Sequence, residues 1–290
     1  MNDERRTLIV HPSSFPMSPV YFVHLSDTHI GPTAVSPDQH GVYPWPCANR
    51  LVDIINDLPV RPDFVIHTGD VAYAPDPAAY ELAAATFVRL NVPIYYVNGN
   101  HDAAHLINAH LPMGPKMDVS GDPNTVSYTF DVKGECFLVL DTRGPDEIDP
   151  QGWLSETQLA AARAEAQPGG RPLTIFMHHP IWPLNAEWMD AHMLVQNGRL
   201  LHNLLLPARG RLRGVFHGHV HQPMQTVRDG ILYSSAASAY TQFAAWPGDM
   251  TVRHAFDDDP GYAFVHLLPG QTIIHQHTFA RPEELPIANC

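Results

Sequence analysis

Short apolar runs ending in a polar motif recur along the chain. Val20 to Leu25 runs into Ser26-Asp27, residues 63–68 into Gly69-Asp70, and Ile94 to Val97 into Asn98-Gly99-Asn100. Runs of this length and β-branched or aromatic content predict buried strands. Between them, Arg50 to Leu58 places Leu51, Ile54, Ile55 and Leu58 at helical spacing. Pro59 and Pro62 end that helix, and the Ala-rich stretch Ala78 to Leu90 predicts a second. A β-α-β-α-β order implies parallel strands with crossover helices. The three polar motifs then share one sheet edge, where α/β folds collect ligands.

The middle of the chain reads differently. Val126 to Val132 and Cys136 to Leu140, joined by Lys133-Gly134, predict an antiparallel hairpin. Ser155 to Ala166 predicts a helix opened by a capping box of Ser155 and Gln158. Leu173 to Met177 is a strand ending in His178-His179-Pro180, and Val215-Phe216 a short strand entering Gly218-His219-Val220-His221. Residues 31–46 read as a loop, 197–205 as a helix, and 224–238 and 262–280 as further strands. Residues 180–195 have no clean period and read as a lid or pocket wall. Residues 1–19, rich in Pro and Ser, read as a leader before a single domain over 20–290, in which 241–290 serves as a lid or oligomer contact.

The charge is −13, from 17 basic and 30 acidic residues. Such a surface argues against nonspecific binding to nucleic acid or anionic membranes. An anionic substrate is still compatible, because bound metal reverses the local field. Three cysteines, Cys47, Cys136 and Cys290, pair poorly and fit free thiols in a reducing compartment. No apolar segment is long enough for a signal-peptide core or membrane helix, so the expected location is cytoplasmic.

The 19 histidines change the picture, because many fall in the strand-end motifs. Asp27 and His29 stand two apart, as do His219 and His221, and alternate residues of an extended strand share a face. Taken singly, each motif has an ordinary explanation: Asp27 a cap, Asp70 an Asx-turn, Asn100-His101 a polar loop. Five in this order, each at a strand end, point to one site. His24 and His67 read as hydrogen-bonded core residues, and Asp102 as a cap for a following helix. Strand alternation puts His178 and His179 on opposite faces, so only one can face a common ion.

Asp27-x-His29, Gly69-Asp70, Gly99-Asn100-His101-Asp102, His178 and Gly218-His219-x-His221 together resemble the calcineurin-like metallophosphoesterases, over residues 20 to about 240. Residues 174–180 with Gln196-Asn197-Gly198 resemble the bacterial phosphodiesterases of cyclic nucleotides and glycerophosphodiesters. The resemblance implies an α/β fold of four layers, an αββα sandwich of two mixed sheets flanked by helices. It implies two metal ions of the Fe, Mn, Co or Zn kind, one held by Asp27, His29, Asp70 and His221, the other by Asp70, Asn100, His178 and His219. Of the neighbouring pair it selects His178, leaving His179 to line the pocket and His217 at most to support a ligand. It implies that metal-activated water or hydroxide attacks a small phosphodiester while His101 protonates the leaving oxygen. Arg143 is the one candidate for an added phosphate clamp. A monoesterase, a nucleotide pyrophosphatase, a nuclease or a non-catalytic scaffold are the alternatives. The expected partner is the small-molecule diester, with no membrane or nucleic-acid polymer, and a homo-oligomer is compatible.

Overall fold

The computed structural model describes residues 18–282. Most of the leader read over 1–19 lies outside the described residues, as does Cys290; Cys47 and Cys136 are buried free thiols. In chain order the elements are β1 (Val20–Leu25), α1 (Pro44–Asn56), β2 (Phe64–His67), α2 (Pro77–Phe87), β3 (Ile94–Tyr96), α3 (Ala104–His110), β4 (Met117–Asp118), β5 (Tyr128–Val132) and β6 (Glu135–Val139). Then come α4 (Glu156–Glu165), β7 (Leu173–Phe176), α5 (Glu187–His192), α6 (Gly198–Leu205), β8 (Leu212–His217), β9 (Gln225–Arg228) and β10 (Ile231–Ser235). The last are β11 (Gln242–Ala244), β12 (Arg253–Ala255), β13 (Gly261–Leu268) and β14 (Gln271–Thr278).

Two mixed sheets result. One has the order β14-β13-β1-β2-β3, the other β4-β5-β6-β7-β8-β10-β9. The parallel pairs β1–β2 and β2–β3 in the first sheet and β7–β8 in the second align the C-terminal ends of the five motif-bearing strands within each sheet. The sheets meet through phenylalanines: Phe64 meets Phe137 edge-on at 5.0 Å and Phe130 at 5.1 Å, and Phe176 meets Phe22 edge-on at 5.5 Å. Such ring pairs add about 0.5–1.5 kcal/mol each beyond their buried area. Helices α1 and α2 cover the first sheet, while α4 and α6 cover the second through Leu159, Ala162, Leu201 and Leu205. The αββα layering expected from the sequence is therefore observed.

The differences have local causes. Helix α1 starts at Pro44, inside the predicted loop, because a first-turn residue needs no amide hydrogen. The capping box predicted at Ser155 forms. Strand β8 is longer than the two residues predicted for it. Helices α3 and α5 and the β11–β12 ribbon have no counterpart in the sequence reading; each is only three to seven residues, too short for periodicity to register. No described helix is long and apolar enough to cross a membrane.

Candidate metal centre

The candidate ligands lie in the turns that leave these strands, and the backbone there is unusual. Among the described residues eight non-glycine positions have positive φ, and five of them are Asp27 (56°), His29 (45°), Asp70 (56°), His219 (71°) and His221 (47°). Left-handed backbone costs an L-residue roughly 1–2 kcal/mol, and it persists only where the surroundings fix it. They do so here: Asp27 N donates to Gly69 O, His29 N to Asp70 O, and Gly218 N to His178 O, at 2.9–3.0 Å. Gly99 and Gly218 permit the closest approaches. A Cβ on Gly99 would stand 2.1 Å from Asp70 Oδ1, and one on Gly218 1.9 Å from Ser26 Oγ.

All seven candidate ligands come together. His178 Nε2 lies 3.3 Å from Asp70 Oδ2 and 3.2 Å from Asn100 Oδ1. His29 Nε2 lies 3.5 Å from Asp70 Oδ2 and 3.2 Å from His221 Nε2, and His221 Nε2 lies 3.5 Å from Asp27 Oδ1. Ligands about 2.1 Å from a common ion stand about 3.0–3.4 Å apart, the edges of octahedral and tetrahedral shells. The observed separations match those edges, and the mixed nitrogen and oxygen donors suit a first-row transition ion. Asp70 Oδ2 stands between His29 and His178. The division into two sets is less clean than the motif implies. Asp27 also groups with Asp70 and His178, and His101 groups with His29 and Asp70.

The electrostatics are those of a crowded, buried site. Asp27 is pushed up to about 7, chiefly by burial. Burial also acts on Asp70, but His178 and His101 outweigh it and hold the carboxyl well below its usual range. Burial opposes a charge on His178, yet Asp70 raises it to about 9. His29 and His219 are held neutral by burial, and burial lowers His221 to about 3.

Three residues behave otherwise than the sequence implied. Asp102 caps no helix: Ala103 is the residue before α3, and it makes no side-chain cap. Instead Asp102 accepts from Val71 N, Ala72 N, Gly99 N and Tyr80 Oη, tying the loop after β2 to the loop after β3. His179 does not line the cleft. Strand β7 stops at Phe176, so alternation no longer governs 178 and 179, and both rings turn inward. Arg143 does not line the cleft over the cluster: its Nε meets Asn100 O at 3.4 Å and its guanidinium pairs with Asp146. His24 and His67 do sit in the core, bonded to Thr68 and Thr28.

The cleft over the cluster has a volume of about 240 Å³. Beyond the ligands it is lined by Tyr73, His101, Trp188, Met193, Tyr240 and Phe243. Trp188 and Met193, from the stretch read as a lid or pocket wall, form its wall together with Phe243. They are joined by a small apolar cluster of α5 and the β11–β12 ribbon around Met189 and Val220. Only the structure brings these distant segments together.

A cluster of metal-binding side-chain types at the strand ends of an αββα sandwich is the arrangement of a phosphoesterase-type fold, and the comparisons agree. Residues 20–223 match the family model described as calcineurin-like phosphoesterase, and the chain belongs to that family. It is 31% identical over 265 residues to a probable cyclic nucleotide phosphodiesterase of Rhodopseudomonas palustris, covering 89% of this chain and 92% of the relative. It is 27% identical to the glycerophosphodiester phosphodiesterase GpdQ of Enterobacter lignolyticus, covering 89% and 90%. A dimetal phosphatase from Danio rerio superposes with a TM-score of 0.62 at 15% identity, over 91% of this chain and all of that one, a likeness of fold.

Proposed function

We propose that the protein is a metal-dependent phosphodiesterase acting on small diesters, the cyclic nucleotides or glycerophosphodiesters. The observation that carries the reading is the charge of the cleft. Its lining includes His29, Asp70, Asn100, His219 and His221 with aromatic rings and, among the described residues, no lysine or arginine. Two divalent ions against Asp27 and Asp70 leave a modest net positive charge, which suits a singly charged diester. A monoester dianion calls for a further cationic clamp, and Arg143 is not among the residues that line the cleft. The names of the two relatives support the same substrate class.

Asp27, His29, Asp70 and His221 would hold one ion, and Asp70, Asn100, His178 and His219 the other. Ions bound there polarise phosphoryl oxygens and lower the pKa of water. The chain's own residues do the rest. His101 Nδ1 donates to Tyr73 O at 2.8 Å, which fixes the ring, and its backbone N–H donates to Asp70 Oδ1 at 2.9 Å. His101 lies in the cleft wall; burial opposes its charge but Asp70 raises its pKa, so the ring can carry a proton on Nε2 as well as Nδ1 and hand it to the departing ester oxygen. Aromatic walls at Trp188, Tyr240 and Phe243 hold the organic arm and exclude water.

The test is a substrate panel after loading with Mn, Co, Zn or Fe. Diesters should be cleaved well ahead of monoesters, and a preference for monoesters would overturn the reading. His101→Ala should lose about 10²–10⁴-fold in kcat on cyclic nucleotides, and less on bis(p-nitrophenyl) phosphate, whose leaving group needs no proton. Equal losses on both would remove His101 from the acid role.

A further inference from the structure

Between β10 and β11 the chain makes a short closed loop over residues 238–242. Gln242 closes it, its amide donating to Ser238 O at 2.8 Å and accepting from Ser238 N at 3.1 Å. Three bonds join this loop to the ligand turns. Ala239 N donates to Ser26 O at 3.0 Å, Ser238 Oγ donates to Asp27 O at 2.9 Å, and His221 Nδ1 meets Thr241 O at 2.9 Å. A carbonyl only accepts, so the His221 proton sits on Nδ1 and Nε2 is left for the site. The loop also carries Tyr240, whose ring lines the cleft with its centre 5.4 Å from that of His29.

One side chain grips the loop from outside the cleft. Arg281, just beyond β14, donates from Nη2 to Tyr240 O at 3.0 Å and to Asp258 O at 3.3 Å, and from Nη1 to Phe256 O at 2.9 Å. All three partners are backbone carbonyls, and its Nε is buried. A rigid planar fork can hold carbonyls from two separate stretches at fixed angles, which a flexible ammonium cannot. The guanidinium thus ties the loop to the chain returning from β12.

The grip falls on the peptide that matters for His221. A peptide unit is planar, so fixing its two ends fixes its plane. The Tyr240–Thr241 unit is held at its carbonyl by Arg281 and at its amide by Ser238 Oγ, at 3.4 Å. The next carbonyl along the chain is Thr241 O, the partner of His221.

We propose that Arg281 is a positioning residue for the first ion. By holding the Tyr240–Thr241 peptide it sets the carbonyl that orients His221, and with it the Tyr240 ring in the cleft wall. The inference rests on the two-ion reading above.

The experiment records nitrogen-15 histidine spectra of metal-free wild type and Arg281→Met, then titrates both with zinc(II). His221 resonances report the first ion and His178 resonances the second. The methionine keeps an apolar stem and removes the fork. It should weaken the first ion by about 10-fold, the lower end for loss of an outer-shell partner, and leave the second unchanged. Before zinc is added, it should loosen the His221 Nδ1 bond and spare that of His178, whose Nδ1 meets Thr68 O at 2.7 Å. Arg281→Lys, which reaches only part of the carbonyl set, should fall between. If wild type binds two ions and the Met variant matches it in both affinities and in the His221 spectrum, the inference is overturned while the metal reading stands. Equal weakening of both ions also overturns it, since that marks a general packing role. A wild type that never binds a second ion overturns the two-ion reading instead. The metal-free spectra then decide on Arg281, an unchanged His221 overturning its positioning role and a loosened one supporting it. Should the Met variant not fold, the Lys variant is read by the same two measurements with the same outcomes.

Discussion

Removing the Asp102 carboxylate should do more damage than any other single change outside the ligand set. Its Oδ2 accepts from Val71 N and Gly99 N, both at 3.1 Å, and its Oδ1 from Ala72 N at 3.1 Å and Tyr80 Oη at 3.0 Å. The side chain is fully buried. Asp102→Ala orphans three amides and a hydroxyl, at roughly 1–3 kcal/mol for each buried group left unmet. Water entering the hole offsets part of this, so about 4 kcal/mol is a reasonable net cost. At about 2–4 °C per kcal/mol for a chain of this size, the metal-free protein should melt about 8–15 °C lower. Asp102→Asn is the sharper probe. It keeps the shape but points an NH₂ at two donors, so it should also cost several degrees. A helix cap would behave oppositely, because Asn caps as well as Asp and the Ala variant would lose only about 1 kcal/mol. Thermal unfolding of the three proteins in chelator decides. An Asn variant within 2 °C of wild type, with roughly that small loss for Ala, would refute the loop-tying role.

Gly99→Ala should fold but disable the site. Its Cβ would stand 2.2 Å from Asp70 N as well as 2.1 Å from Asp70 Oδ1, and backbone cannot give way cheaply. A displacement near 1 Å costs on the order of 10²-fold in rate, so full activity with unchanged metal content would contradict the packing described. The second concerns acid. Burial lowers His24 and His67 from 6.5 to about 3, with neighbouring histidines adding to the effect. Between those values the unfolded chain binds more protons than the folded one. Stability is therefore full above pH 6.5 and falls as pH drops towards 3, by a few kcal/mol per group at most. His24→Leu should flatten the dependence of melting temperature on pH over that window, and an unchanged slope would show that His24 does not contribute to it.

How much of this the sequence disclosed depends on the range of the interaction concerned. Residues 20–25, 64–67 and 173–176 announce themselves because each strand is a solid apolar run ended by a polar turn, a signal carried within a few residues. The capping box at Ser155 and Gln158 is local in the same sense, and it forms. Asp27, His29, Asp70, Asn100, His178, His219 and His221 were legible as one site only through their order along the chain. Asp102 was misread because its partners, Val71, Ala72 and Tyr80, lie 22 to 31 residues away. His179 was misread because alternation was carried past Phe176, where the strand ends. The stretch 180–195 was legible as a pocket wall, but its meeting with the β11–β12 ribbon was not, because both carry too few residues to show a period and they meet only in space.

The strained turns bear on whether the site awaits its ions or is built for them. Five candidate ligands sit in left-handed backbone, a cost of roughly 1–2 kcal/mol each. If ions alone held them there, the metal-free loops would relax to ordinary turns. The hydrogen bonds argue otherwise. Asp27 N to Gly69 O, His29 N to Asp70 O, Gly218 N to His178 O and Phe243 N to His221 O join each ligand turn to its neighbour through backbone alone. None of them needs an ion. The strain is held by the sheets and distributed across neighbouring strand ends, so distorting one turn loads the next. The separations of 3.2–3.5 Å among the ligand atoms follow from that frame. An ion binding there would not have to order these loops first.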